Sequence, residues 1–197
     1  MARKGYTMDR KAWDQLISMA GVVIAVVLVV VGGLVIFGGN FARDSVADRL
    51  EPQMIYFPPT EAMSPEEQET LGEFAGMQVT DGATAEAYSD YIGGHLAEVN
   101  EGQTYAQTSS AARAEGISED EAAELSAKAD TLFKGETLRS ILLNAYGWWT
   151  AGTIAMYAGF VMVVAGIIFA IFAFFGFRHA KKLAAPAATP ELVGANA

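Results

Sequence analysis

Hydrophobic and polar positions alternate along this chain in blocks, not residue by residue, and two of the blocks are long. Residues 140–177, about 38 in all, carry no ionisable side chain except the tyrosines. A hydrocarbon core of about 30 Å is crossed by about 20 helical residues rising about 1.5 Å each. The first part of this block holds Asn144, Tyr146, Trp148 and Trp149, and the amphipathic rings favour the headgroup level. The span proper is therefore expected over 151–177, stopped by Arg178, His179, Lys181 and Lys182. The other block, 19–42, is dense in Val, Ile and Leu and is bounded by Asp14 and Arg43. It is too long for a cleaved signal peptide, whose apolar core runs about 7–15 residues. The pattern predicts an all-α membrane protein in which two transmembrane helices flank a small helical extracytoplasmic domain.

Residues 1–18 form a basic lead-in, with Trp13, Leu16 and Ile17 at spacings that share one interfacial face. Trp13, Trp148, Trp149, Arg178, Lys181 and Lys182 are the expected interfacial anchors. Within the first span Gly21, Ala25, Gly32 and Gly39 fall on one face, and within the second Ala151, Ala155 and Gly159 repeat every four residues. Small faces let helix backbones approach closely, so these positions form a seam between the spans or against another subunit.

Between the spans, 43–139 reads as helices joined by loops. Prolines 52, 58 and 59 make 50–60 extended. Ser64-Pro65-Glu66-Glu67 has a capping residue, a proline and an acid three positions on, and starts a helix for which Gly76 is a stop. Thr80-Asp81 opens a second helix with a stripe of Tyr88, Tyr91, Ile92, His95, Leu96 and Val99, ending near Gly102. A third is expected over 104–115, closed by Gly116. Ser118 with Glu121 caps a fourth running to Phe133, and Gly135 separates it from a last helix that starts at Glu136 and enters the membrane. No alternating strand pattern is present. Tyr56 and Phe57, before Pro58-Pro59, are either a partner contact or filling for the core beneath the helices. Residues 178–197 are a basic stop and a flexible tail.

Charge sharpens the division. The middle holds 20 acidic against 6 basic residues, near −14, and the two ends 3 against 7, near +4. Basic ends place both termini in the cytoplasm and the middle outside. An acidic middle repels nucleic acid. The chain has no cysteine, which excludes disulfides, thiolate metal sites and a cysteine nucleophile.

Candidate chemistry is sparse. His95 with Glu98 and Asp90 is a partial acid-base or metal constellation in the reverse order of the di-iron Glu-x-x-His pattern and without a second histidine on that side. The acidic runs 119–121 and 66–69 complement helix N-termini and lack a calcium-loop spacing. Neither span holds an ionisable Asp, Glu, Lys, Arg or His, so no proton or ion path is encoded in either. The expectation is no catalytic, cofactor or metal residue in this chain.

Five stretches carry a resemblance. They are 49–59 (Arg-Leu-Glu-Pro-Gln-Met-Ile-Tyr-Phe-Pro-Pro), 75–79 (Ala-Gly-Met-Gln-Val), His95-Leu96, 102–106 (Gly-Gln-Thr-Tyr-Ala) and 142–146 (Leu-Leu-Asn-Ala-Tyr). Together they resemble a group of small actinobacterial plasma-membrane proteins, similar to the two-span accessory subunit found with the supercomplex of cytochrome bc and cytochrome oxidase. The resemblance covers roughly 15–180 and contains no chemical motif. It implies a non-catalytic structural subunit of the respiratory chain, with the lipid bilayer and cytochrome subunits as partners. The alternative is an extracytoplasmic ligand sensor acting through a partner.

Overall fold

No proline interrupts residues 10–50 or 119–183, and each run forms one unbroken helix in the computed structural model, which describes residues 10–183. The basic positions Arg3 and Lys4 and the tail 184–197 lie outside the described residues. Helix α1 spans Arg10–Leu50 and ends where Pro52 enters a 3-10 turn, Glu51–Gln53. Helices α2 (Pro65–Leu71), α3 (Gly82–Val99) and α4 (Tyr105–Ala111) follow, and α5 spans Glu119–Leu183. Among the described residues, the β-structure consists of one antiparallel bridge, Tyr56 to Gln78. Both α1 and α5 are long and apolar enough to cross a membrane, and only 11% of each apolar window is buried, unlike the core helix of a soluble protein.

Three sequence boundaries are corrected. Gly135 does not end a helix: α5 runs straight through it. The missing side chain there makes room, since a Cβ at Gly135 would collide with the side chain of Leu96 on α3. Arg178 likewise ends the apolar run without ending the helix, which carries Lys181 and Lys182 in its last turn. Helix α4 is also shorter than 104–115, because Arg113 and Ala114 donate to carbonyls three residues back and tighten the chain into turns before Gly116 at φ +87°.

The chain divides into two compact units, whose described parts are 10–36 with 157–183, and 37–156. In the first, α1 and α5 pack through small residues seven apart: Ser18, Ala25 and Gly32 against Gly159, Gly166, Ala173 and Ala180, all buried. A Cβ at Gly32 would lie 2.8 Å from the Gly159 carbonyl oxygen, and one at Gly166 would lie 3.0 Å from that of Ala25. The backbones touch. A seven-residue period on both helices is the repeat of a left-handed pair.

In the second unit Val46, Leu50, Phe57, Met63, Val79, Ala85, Ala87 and Leu142 form the core. Phe57 is 2% exposed, stacks on Phe74 with centroids 5.4 Å apart, and meets Tyr88 edge-on at 5.1 Å. Three reciprocal capping boxes fix the helix entries: Ser64 with Glu67, Asp81 with Thr84, and Thr104 with Gln107. The Arg139 guanidinium lies over Gly93 and donates from Nε to the Ser89 carbonyl at 3.1 Å, tying α5 to α3. Here too α1 and α5 meet closely, with a Cβ at Gly152 falling 2.7 Å from the Gly39 carbonyl oxygen.

Candidate functional site

Extended backbone sends successive side chains to opposite faces. The Phe57 N–H donates to the Met77 carbonyl at 2.9 Å and the Val79 N–H to the Ile55 carbonyl at 2.9 Å, holding these two strips side by side. Phe57 consequently points into the core, the core-filling one of the two roles its sequence position left open. Tyr56 points out and is 47% exposed, flanked by Met54 at 64%. The Tyr56 hydroxyl donates to Gln78 Oε1 at 3.3 Å, and Gln78 Nε2 donates to the Glu51 carbonyl at 2.6 Å. Met54 adopts the left-handed conformation at φ 53°, uncommon for a residue with a Cβ. The Tyr56 ring is thus presented on a braced strip. Met54 and Gln78 were not legible as members of this face, because the bridge that unites them joins segments 22 residues apart.

The small-residue positions resolve differently. Gly32, Gly39 and Gly159 are occupied by close contacts between α1 and α5, the first of the two alternatives the small-residue pattern left open. Ala151 is exposed and lies off this seam, and Ala155 is half-buried. Sequence reading missed Gly152 and Gly166, which take the positions a four-residue step from Ala151 does not reach. A seven-residue step back and forward from Gly159 finds both.

Of the anchors, Trp13 and Trp148 are exposed at 49% and 59%, and Arg178, Lys181 and Lys182 are exposed as expected. Trp149 is corrected: its ring packs against the core and leaves no room for a Cβ at Gly82, while the Arg43 guanidinium covers it at 4.5 Å.

The polar residues around His95 form a link between helices. His95 Nε2 lies 3.7 Å from Glu67 Oε1, and its Nδ1 is 3.0 Å from the Tyr91 carbonyl oxygen. Hydrogen bonds from the Ser64 backbone and hydroxyl, with His95 adding to them, hold the Glu67 carboxyl below its usual range. Burial pushes the Tyr88 hydroxyl up, and burial with the nearby Glu67 and Tyr88 does the same for Tyr91. Asp90 and Glu98 do not join this cluster in any hydrogen bond or ion pair among the described residues. Among the described residues no group of three or more His, Asp or Glu side chains is arranged to hold a metal ion.

A second feature of this unit is a groove of about 1070 Å³ walled by α1, α5 and α3. Its lining is largely apolar, from Gly38 and Phe41 at one end to Leu50, Gln53 and Ile55 at the other, with Arg49 the one cation. No protein-family model, curated protein or solved structure matches the chain.

Proposed function

We propose that this chain is a non-catalytic accessory subunit of a bacterial plasma-membrane complex, and, on the resemblance of its five stretches, of the respiratory supercomplex of cytochrome bc and cytochrome oxidase. The observation that carries the reading is the braced, exposed Tyr56 beside Met54. Aromatic and methionine side chains are enriched where proteins meet, and a pre-ordered ring loses little entropy on docking. The long apolar faces of α1 and α5 support placement in a bilayer.

Purification of the tagged full chain in a gentle detergent, followed by mass spectrometry, should recover cytochrome subunits in stoichiometric amounts. Tyr56→Ala should lower that recovery at least fivefold while leaving the chain folded, because the side chain is outside the core. Recovery of a stable monomer alone sinks the proposal.

The accompanying topology is two spans with both termini cytoplasmic. Arg10 and Lys11 precede the first apolar run and Arg178, Lys181 and Lys182 follow the second, while the long middle segment crosses largely regardless of its charge. Single cysteines placed in this cysteine-free chain at Ser110 and Ser126 should react in intact cells with a membrane-impermeant thiol reagent. One placed at Lys181 should not. Reversed labelling would refute the orientation.

A further inference from the structure

The apolar groove of the second unit continues past the membrane surface. The Arg43 guanidinium covers the Trp149 ring at 4.5 Å, which puts these residues at one level, and Arg43 closes the uncharged run, which puts that level at the hydrocarbon boundary. Gly38, where the groove begins, lies five residues inward, about 7 Å along the helix. Gln53 on α1 and Leu138 on α5 line its other end, about 15 Å outward and beyond a headgroup layer of about 5–8 Å. Lipid therefore ends short of Leu138 and Ile141, which are 54% and 59% exposed. Large apolar side chains lining a trough in water mark a contact with another protein.

The length of the trough and the chemistry of its rim say what kind of segment fits. From about 7 Å inside the boundary to about 15 Å outside is about 22 Å, the rise of about 15 helical residues. A segment that crosses this boundary unbroken has to be a helix, because only a helix satisfies its own backbone groups on the lipid side. On α1, Phe37, Phe41, Asp44 and Asp48 follow one another at steps of four, three and four, so the two acids border the groove on the side of Phe41. Both are exposed and, among the described residues, form no ion pair. Arg49, the one cation in the lining, stands between Asp48 and Glu51 in a unit of 20 acidic and 6 basic residues. The field at the rim is negative and draws a basic segment. A second copy of this chain would bring the same acids to the rim and be repelled.

We propose that this groove seats a partner's transmembrane helix where it rises out of the bilayer. Its apolar stripe lies against Phe41, Ile141 and Leu138, and a Lys or Arg in its first two turns outside the boundary meets Asp44 and Asp48. The proposal deepens the accessory-subunit reading, on which it rests, by naming the element of the partner that docks.

The test places a photoreactive phenylalanine analogue at Leu138, at Ile141 or, as a control on the same helix, at Ser126 of the full chain in its native membrane, and maps crosslinked peptides by mass spectrometry. Leu138 and Ile141 should both crosslink to one segment of another protein that runs directly into an apolar span and carries a Lys or Arg within a turn. Ser126 should give about a tenth of that yield or less. Asp44→Asn with Asp48→Asn should lower the yield about threefold or more, while Asp90→Asn with Glu98→Gln, the same change of charge at exposed positions off the groove, should leave it unchanged. All four side chains are exposed, so thermal unfolding should match the parent chain in both double variants, which separates lost docking from lost fold. Groove probes that capture lipid, a second copy of this chain or a partner segment remote from any apolar span overturn the proposal, as does a yield that Asp44→Asn with Asp48→Asn leaves unchanged. If Tyr56→Ala lowers recovery of a partner while the groove probes reach no protein, the groove inference fails and the accessory-subunit reading stands. Recovery of no partner by either route defeats both.

Discussion

Phe57→Ala should destabilise the second unit by about 3–5 kcal/mol, the cost of removing a fully buried phenyl ring from a core that relaxes only in part. The ring contacts Phe74 and Tyr88 and belongs to the same cluster as Val79, which has no exposed surface at all. Because it is anchored by the hydrogen bond from its own N–H to the Met77 carbonyl, the strip cannot slide to refill the cavity without breaking that bond. Tyr56→Ala next to it should change stability by less than about 0.5 kcal/mol, as surface substitutions do. Thermal unfolding of the detergent-solubilised chain separates the two. A loss exceeding about 10 °C is expected for Phe57→Ala and almost none for Tyr56→Ala. Equal shifts would mean that the alternation of the strip is wrong, and with it the outward face on which the proposed partner contact depends. The pair therefore distinguishes a contact residue from a core residue: one should lose the partner and keep the fold, the other should lose the fold.

How far the chain could be read in advance follows from the range of the interactions involved. Ser64 and Ser118 were identifiable as helix entries because a capping residue and the acid three positions on lie within four residues of each other. The two long apolar runs were legible for the same reason, since length and lack of charge are local properties. Gly135 was not. A glycine that stops a helix and one that lets a neighbour approach have the same sequence appearance, and only the Leu96 side chain on another helix decides between them. The seam was half legible: Gly32, Gly39 and Gly159 stood out, but Gly152 and Gly166 emerge only once both helices are required to keep a seven-residue register. The groove and the Glu67–His95 link were not legible, for each is assembled from separate helices.

Gly159→Leu should disrupt helix pairing in the first unit, and Gly33→Leu should not, although both put the same side chain into the same kind of apolar helix. At Gly159 even the first carbon would lie 2.6 Å from the Gly32 carbonyl oxygen and 2.9 Å from the Ile36 nitrogen. Those are backbone atoms, so no rotamer change relieves the overlap and the helices must move apart. Overpacking of this kind costs about 1–3 kcal/mol or more, and separation also forfeits dispersion contacts along the whole small-residue face. At Gly33 a Cβ meets nothing within 4 Å. The absence of native cysteine permits a direct readout, because a Cβ at Gly21 lies 3.3 Å from that of Ala173, close to the span of a disulfide of about 3.5–4.5 Å. In a chain carrying Gly21→Cys and Ala173→Cys, mild oxidation should give an intramolecular crosslink in high yield. Adding Gly159→Leu should lower the yield at least tenfold, while adding Gly33→Leu should leave it within twofold. Crosslinks appearing instead between two chains would show that the seam joins separate copies, and undiminished crosslinking with Gly159→Leu would show that backbone contact at this glycine does not hold the helices together.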